Sequence, residues 1–238
     1  MANDLLKLVG GAAAFKLMKR GKTHDQKRVI DFFADFYGAS TGGCLKKKSI
    51  LKLEEYEKMI VDRCNSLNIK QRAIARIALD ESEISEINPI SLHSYVYPSS
   101  VANNDGIFIK IANNTAVSSK YEVTWLFFSQ TQIYAYSIEF DMTSDEIIED
   151  VQEFFYTDIT CFETCNHLIE NIRTDTSGCL NKGAKGCFNS TIKDNYVVDS
   201  FKITVPGREF TVSMRNSGNQ FQSIQAAKAM LREKKYTK

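Results

Sequence analysis

Residues 177–187, SGCLNKGAKGC, combine side chain types that are able to hold a phosphate group or a metal ion. Two glycines and two lysines lie between Cys179 and Cys187. A Walker-type phosphate loop needs the spacing Gly-x-x-x-x-Gly-Lys-Ser/Thr between a strand and a helix, so that backbone N–H groups converge on the phosphate. Here an alanine separates Gly183 from Lys185, and no helical pattern follows. The spacing therefore excludes a Walker-type loop.

The same cysteines could instead complete a zinc site. Cys161, Cys165 and His167 alternate onto one face of a predicted strand, and Cys179 or Cys187 could supply the fourth ligand of a tetrahedral ion. Only the first two cysteines approach the close spacing of zinc ligands, so we interpret these residues as reduced core thiols, with no metal or other cofactor. A disulfide between Cys179 and Cys187 is geometrically open, because it would close a short loop. It would require an oxidising compartment, of which the sequence gives no other sign.

Catalytic groups are sparse in this sequence. The histidines His24, His93 and His167 lie in different segments, and none has a Ser or Cys signature beside it. The sequence therefore predicts a protein that is not an enzyme and has no catalytic residues. An acidic run lacks the glycine and the ligand spacing of a calcium loop, and we interpret it as the solvated face of a helix. This run comprises Asp141, Asp145, Glu146, Glu149, Asp150 and Glu153.

Composition and charge narrow the class of protein. The 238 residues are 43% hydrophobic and 25% charged, which is typical of a folded soluble protein. Residues 1–28 hold seven basic and two acidic side chains, and residues 222–238 hold five and one, although the net charge is only +1. Such basic ends could attract an anionic membrane surface, whereas the low overall charge argues against nucleic acid. Six cysteines are too few for a disulfide scaffold, which favours the cytoplasm.

The chain divides into three predicted parts. Residues 1–24 form an apolar and basic segment whose charges follow its apolar run, the reverse of a signal peptide, and this run is too short to span a membrane. Residues 25–88 have helical periodicity, with Ser49 as the N-cap of the second helix and Cys64 as a buried thiol. Residues 89–238 have the alternation of antiparallel strands and end in a helix that begins near Gln222.

One strand of this last part is apolar on both of its faces. Val123, Trp125 and Phe127 point one way and Leu126 and Phe128 point the other, so the strand is predicted to be buried on both sides. It would then lie at the centre of a sheet or under a helix, with its tryptophan largely buried.

The last part also resembles a known family. Over residues 91–238 it is similar to the bacterial PH-like (pleckstrin-homology-like) domain family. The hairpin VTWLFFSQTQIYAYSIEF stands in the place of that family's aromatic strand pair, FFYTDITCFET is similar to its next strand, and a hairpin at Pro206-Gly207 precedes the final helix. The resemblance implies an α+β fold, in which the helical segment precedes an antiparallel β-barrel or sandwich that is capped by the C-terminal helix.

The resemblance implies binding rather than catalysis, since PH-like domains present loops and a sheet edge to lipids, peptides or proteins. The loops PSSVANNDG and NNTAVSSK carry Lys120 as their only base, so inositol phosphate binding is not expected. We therefore expect a cytoplasmic module that binds a protein partner of unknown identity. The alternative is a peripheral membrane adaptor that uses residues 1–22 and the basic tail, and a zinc-binding protein is the third possibility. The oligomeric state is left open.

Overall fold

The computed structural model describes residues 16–36, 51–78, 88–97, 107–112, 115–175, 190–215 and 218–236. The described helices are α1 (His24–Phe36), α2 (Leu53–Leu67), α3 (Ile69–Ile77) and the C-terminal α4 (Gly218–Tyr236). Between α3 and α4 lie the strands β1 (Ile90–Tyr95), β2 (Ile109–Ala112), β3 (Thr115–Ser118), β4 (Lys120–Phe128), β5 (Gln132–Asp141), β6 (Ile147–Phe155), β7 (Cys161–Asp175), β8 (Ser190–Val205) and β9 (Arg208–Met214).

These strands form three antiparallel sheets. The first sheet has the order β1-β4-β5-β6, the hairpin β2-β3 is inserted between β1 and β4, and the third sheet has the order β7-β8-β9. The backbone N–H of Arg215, just after β9, donates to the carbonyl of His93 on β1 over 2.9 Å. The mixed fold of helices and antiparallel sheets with a C-terminal helix is confirmed. The sequence left a barrel or a sandwich open, and the described strands form three separate sheets that do not close into a barrel.

The three N-terminal helices follow the predicted periodicity. Lys52 occupies the N-cap position of α2, and its backbone N–H donates to Glu55 Oε2 over 3.1 Å. The N-cap of α2 is therefore Lys52 and not the predicted Ser49, which lies outside the described residues. Asn68 has the left-handed φ of 47°, which ends α2 and lets α3 start at once in a new direction.

The acidic run lies partly in the β5–β6 turn and partly in β6, and it does not form the predicted helix face. Residues 142–146 form the turn after β5, and β6 then pairs with β5 along its whole length. Ile147 and Val151 pack against the apolar cluster under the helices, whereas Ile148 between them is 52% exposed, as expected for side chains that alternate between the two faces of a strand. Two smaller differences from the prediction remain. The predicted loop NNTAVSSK contains the strand β3, and α4 begins at Gly218 rather than near Gln222.

The first sheet is buried on both faces, as its central strand predicts. On one face Val123 and Phe127 of β4 belong to an apolar cluster with α1 and α2. On the other face Leu126 and Phe128 belong to a second cluster with the third sheet and α4. Trp125 differs from the prediction, because it is only partly buried on the helical side, where Lys70 of α3 lies 5.7 Å from its ring. The sheet therefore separates two apolar cores.

Buried polar contacts fasten the helical cover to the strands. The hydroxyl of Tyr56 on α2 donates to the carbonyl of Ser118 on β3 over 2.6 Å, inside the protein. Lys110 of β2 donates from Nζ to the carbonyl of Phe32 over 3.0 Å, and the same Nζ lies 3.9 Å from the centre of the Phe32 ring. The first bond gives the buried Ser118 carbonyl a donor, and the second gives the Lys110 ammonium an oxygen acceptor on α1. The helices are thus joined to the strands by more than apolar contact.

A tyrosine pair tests this attachment. Tyr56→Phe should lower the free energy of unfolding by about 1–2 kcal/mol, because it leaves the buried Ser118 carbonyl without its donor. Tyr95→Phe is the matched control, since the buried Tyr95 hydroxyl has no hydrogen-bond partner among the described residues, and its loss should be neutral or slightly stabilising. Chemical denaturation of the two variants and the parent measures the difference. Equal destabilisation by both changes would contradict this view of the attachment.

Candidate functional site

A cleft of about 520 Å³ opens where α1 and α2 meet the turn between β5 and β6. Its lining mixes apolar side chains with carboxylates, so it differs from the two apolar cores. The apolar residues of the lining are Met59, Leu67, Met142 and Ile147. The polar and charged residues are Thr23, Asp25, Gln26, Asp62, Arg63, Ser66 and Asp145.

The start of α1 forms one wall of the cleft. The backbone N–H of Gln26 donates to Thr23 Oγ1 over 3.2 Å, and the backbone N–H of Thr23 donates to Gln26 Oε1 over 3.0 Å. This reciprocal arrangement is a capping box, which satisfies N–H groups that the first helical turn leaves unpaired. Gln26 also donates from Nε2 to Asp145 Oδ1 over 2.8 Å, so one buried amide links the helix to the β5–β6 turn.

Arg63 of α2 forms the second link to this turn. One nitrogen of its guanidinium donates to the carbonyls of Asp141 and Ser144, over 2.9 and 3.0 Å, and its carbon lies 5.2 Å from the Phe140 ring centre. Burial lowers the pKa of Arg63 from its usual value, and nearby carboxylates oppose that shift, so the group stays cationic near neutral pH. Its charge is therefore directed at backbone oxygens as well as at the cleft.

The turn itself is held by Asp141. Its Oδ1 accepts the backbone N–H and the hydroxyl of Thr143, each over 2.7 Å. Burial raises the pKa of Asp141, while these two hydrogen bonds act in the opposite direction. This local ring fixes the positions of Met142 and Asp145 in the cleft lining.

The rim of the cleft carries excess negative charge. Asp25 lies 3.7 Å from Arg28 and 3.6 Å from His24 on the exposed side of α1. Asp62 is exposed and forms no ion pair within the described part of the chain. Together with Asp145, these groups place three carboxylates around an apolar floor. A cationic group on an apolar stem matches this combination, because the stem can cover the floor while the charge stays at the wet rim.

The residues considered for zinc do not meet in one described site. Cys161 is exposed, and Cys165 is partly buried with its Sγ 3.1 Å from Ser200 Oγ. Cys179 and Cys187 lie outside the described residues, and the His167 side chain does too. Among the residues that are described, no group of three or more His, Cys, Asp or Glu side chains is placed to hold a metal ion.

The remaining sequence candidates are also dispersed. His24 lies exposed at the start of α1, whereas His93 is partly buried on β1, where burial lowers its pKa. Cys64 of α2 is partly buried, and burial raises the pKa of its thiol to about 11, which disfavours the reactive thiolate. None of the helices in the described ranges is both long and apolar enough to cross a membrane.

No family model, curated protein or solved structure matches this chain. The functional inference therefore depends on the geometry of the described residues.

A carboxylate pair on the opposite face of the first sheet has unusual electrostatics. Glu122 of β4 lies in register with Glu139 of β5, and like charges directly opposite each other destabilise a strand pair. Lys120 neutralises Glu139, with 3.0 Å between Nζ and Oε1. Burial raises the pKa of Glu122 to about 7, and Glu139 adds to this shift. Glu122 is thus the member of the pair that takes up a proton near neutral pH.

The stability of the protein should depend on pH through Glu122. The pKa of a glutamate is near 4.3 in the unfolded chain, and that of Glu122 is about 7 in the folded protein. The free energy of unfolding therefore falls as the pH rises from about 4.3 to about 7, and the loss is complete above that range. Glu122→Gln removes that cost, so the variant should be more stable than the parent by about 1–3 kcal/mol at pH 8, and by little near pH 4.5. Denaturant midpoints at both pH values provide the measurement, with the exposed Glu146→Gln as control. A gain that is the same at both pH values would refute the assignment.

Proposed function

We propose that this chain is a non-enzymatic binding module and that its cleft receives a basic, apolar segment of a partner protein. The observation that carries the proposal is the lining of the cleft, where carboxylates surround an apolar floor. Its volume of about 520 Å³ is in the range of pockets that enclose small ligands or a few side chains. A short stretch of a partner chain, with one or two side chains inserted, fits this size.

The chemistry of the lining selects the type of side chain. A lysine or arginine stem would lie along Met59 and Met142, whose flexible thioethers adapt to different shapes. The cationic head would then reach Asp62, which has no ion pair among the described residues. An exposed carboxylate that gains a partner contributes modest affinity, so specificity depends on the apolar contacts beside it.

The order of the strands supports a PH-like interpretation of the surrounding fold. A meander of four strands is followed by a meander of three strands and a C-terminal helix, once the inserted β2-β3 hairpin is set aside. The inner faces of both meanders share one apolar cluster with α4. We propose that these layers form a PH-like sandwich and that the N-terminal helices create the cleft on its outer side. A binding role is typical of such a scaffold, although a fold does not determine a function.

Methionine methyl groups allow a direct test of the cleft. The probe is a 12-residue synthetic peptide of alternating lysine and leucine, added to the full chain with ¹³C-labelled methionine methyls. The peptide should shift the Met59 and Met142 signals. It should leave the signal of Met230 in place, because Met230 lies on α4 and packs against the second apolar cluster. A peptide of alternating glutamate and leucine should produce neither shift, because the rim repels it.

Charge reversal at the rim makes the test specific. Asp62→Lys should weaken binding of the lysine peptide at least about tenfold. The change removes the attraction between the peptide cation and Asp62 and adds repulsion by the new lysine. Asp150→Lys is the matched control, since it changes the net charge equally at an exposed position of β6 outside the cleft. Equal binding by both variants would overturn the proposal. Binding to phosphatidylserine vesicles that requires residues 1–22, with no peptide effect, would favour the membrane adaptor instead.

A further inference from the structure

Strand β6 lies at one edge of the first sheet, and no other described strand pairs with its outer side. At one end of the β5–β6 pair the N–H of Asp141 donates to the carbonyl of Glu146 over 3.3 Å, and at the other end that of Tyr156 donates to the carbonyl of Thr131 over 3.0 Å. Bonded pairs and non-bonded pairs alternate along antiparallel strands, so the even-numbered residues of β6 bond to β5. Its odd-numbered residues therefore direct their N–H and C=O groups outward.

Contacts within the protein cover one half of this outer side. The carbonyl of Glu153 accepts a hydrogen bond from Arg208 Nη2 over 3.0 Å. The carbonyl of Phe155 accepts the N–H of Asp158 over 3.0 Å. In the other half, no described residue bonds to the outward backbone groups that we call the open edge, those of Ile147, Glu149 and Val151. Ile147 also lines the cleft, so the open edge begins at the cleft wall.

The side chains near the open edge are acidic. Asp145 and Glu146, just before it, are exposed, and neither forms a salt bridge with another described residue. Within β6, Asp150 and Glu153 also lack a basic partner among the described residues, and the strand contains no lysine or arginine. A second copy of β6 would bring like charges together across the new strand pair, which destabilises it. The open edge therefore favours a basic segment of a different chain over a copy of itself.

We propose that the partner segment that enters the cleft continues along the open edge as an added β-strand. The inference rests on the proposed function, because the edge extends the cleft and favours the same basic, apolar chemistry. Side chains of an extended segment alternate between two faces, and those on the face away from the cleft lie beside the exposed Ile148. In this mode of recognition the added backbone hydrogen bonds give affinity, and the side-chain pocket gives specificity.

Amide hydrogen exchange of the parent tests the added strand directly. The alternating lysine–leucine peptide at saturation should slow exchange of the open-edge amides at least about tenfold, because each of them gains an acceptor. The amides of Ile148 and Asp150 bond to β5 with or without the peptide, so their exchange should not change. This odd–even pattern is specific to strand pairing, since a peptide that only covered the surface would protect neighbouring amides alike.

Backbone methylation supplies the matched peptide controls. One peptide carries N-methyl groups on its leucines and the other on its lysines, while the side chains are unchanged. A strand directs the N–H groups of alternate residues toward its neighbour, so one of the two peptides should bind at least about tenfold more weakly and the other like the unmethylated peptide. Equal affinities of the two methylated peptides would overturn the inference.

Proline substitution tests the edge on the side of the protein. Val151→Pro removes an outward N–H and leaves the hydrogen bonds to β5 intact, so the fold should persist and peptide binding should weaken at least about fivefold. Phe155→Pro is the matched control, because its N–H is also outward but lies in the covered half. Asp150→Lys should change the affinity less than about threefold, since its side chain lies on the face away from the cleft, and it thus stays a control for Asp62→Lys.

The outcomes separate this inference from the proposed function. Shifts of the Met59 and Met142 signals without protection of the open edge would overturn the added strand and leave binding in the cleft intact. Protection of the open edge without these shifts would overturn binding in the cleft and retain the added strand alone. A peptide that produces neither effect would overturn both.

Discussion

The main constraint on this fold is that the strands at the centre of its first sheet are apolar on both faces. β4 directs Val123 and Phe127 to one side and Leu126 and Phe128 to the other, and all four are buried. Exposing either face would cost roughly 1.5–3 kcal/mol for each large side chain. The sheet therefore needs two covers. The helices before it supply one, and the third sheet with α4 supplies the other.

The cleft is a consequence of how the first cover is attached. Tyr56 and Lys110 join the helices to the inserted hairpin, and Arg63 and Gln26 join them to the β5–β6 turn. Between these fixed points the helices and the turn do not fill all the space. The gap is lined by side chains of α1, α2 and the β5–β6 turn, with methionines at the floor and aspartates at the rim. A binding surface thus arises at the seam between the helical cover and the sheet.

Local patterns were sufficient for elements whose periodicity is strong. The helices α1 to α3, the β4–β5 and β8–β9 hairpins and the two-sided burial of β4 all follow from apolar spacing and turn residues. β6 differs from the predicted helix face, because its acidic residues dominate its composition and the four-residue spacing of Ile147 and Val151 fits one face of a helix as well as one face of a strand. The hydrogen bond from Gln26 to Asp145 spans 119 residues, so no local spacing could have revealed the cleft. The Thr-x-x-Gln pattern at its edge was an available signal for the start of α1.

Native-state hydrogen exchange tests most directly whether the helical cover is an integral part of the fold. If the first sheet needs both covers, the buried amides of α2 around Tyr56 and Ile60 should exchange only through the same global opening as those of β5 around Tyr136 and Ile138. The free energies of opening should then agree for both elements and should fall together as denaturant is added. Exchange of α2 through a smaller opening, while β5 keeps its full protection, would contradict this account.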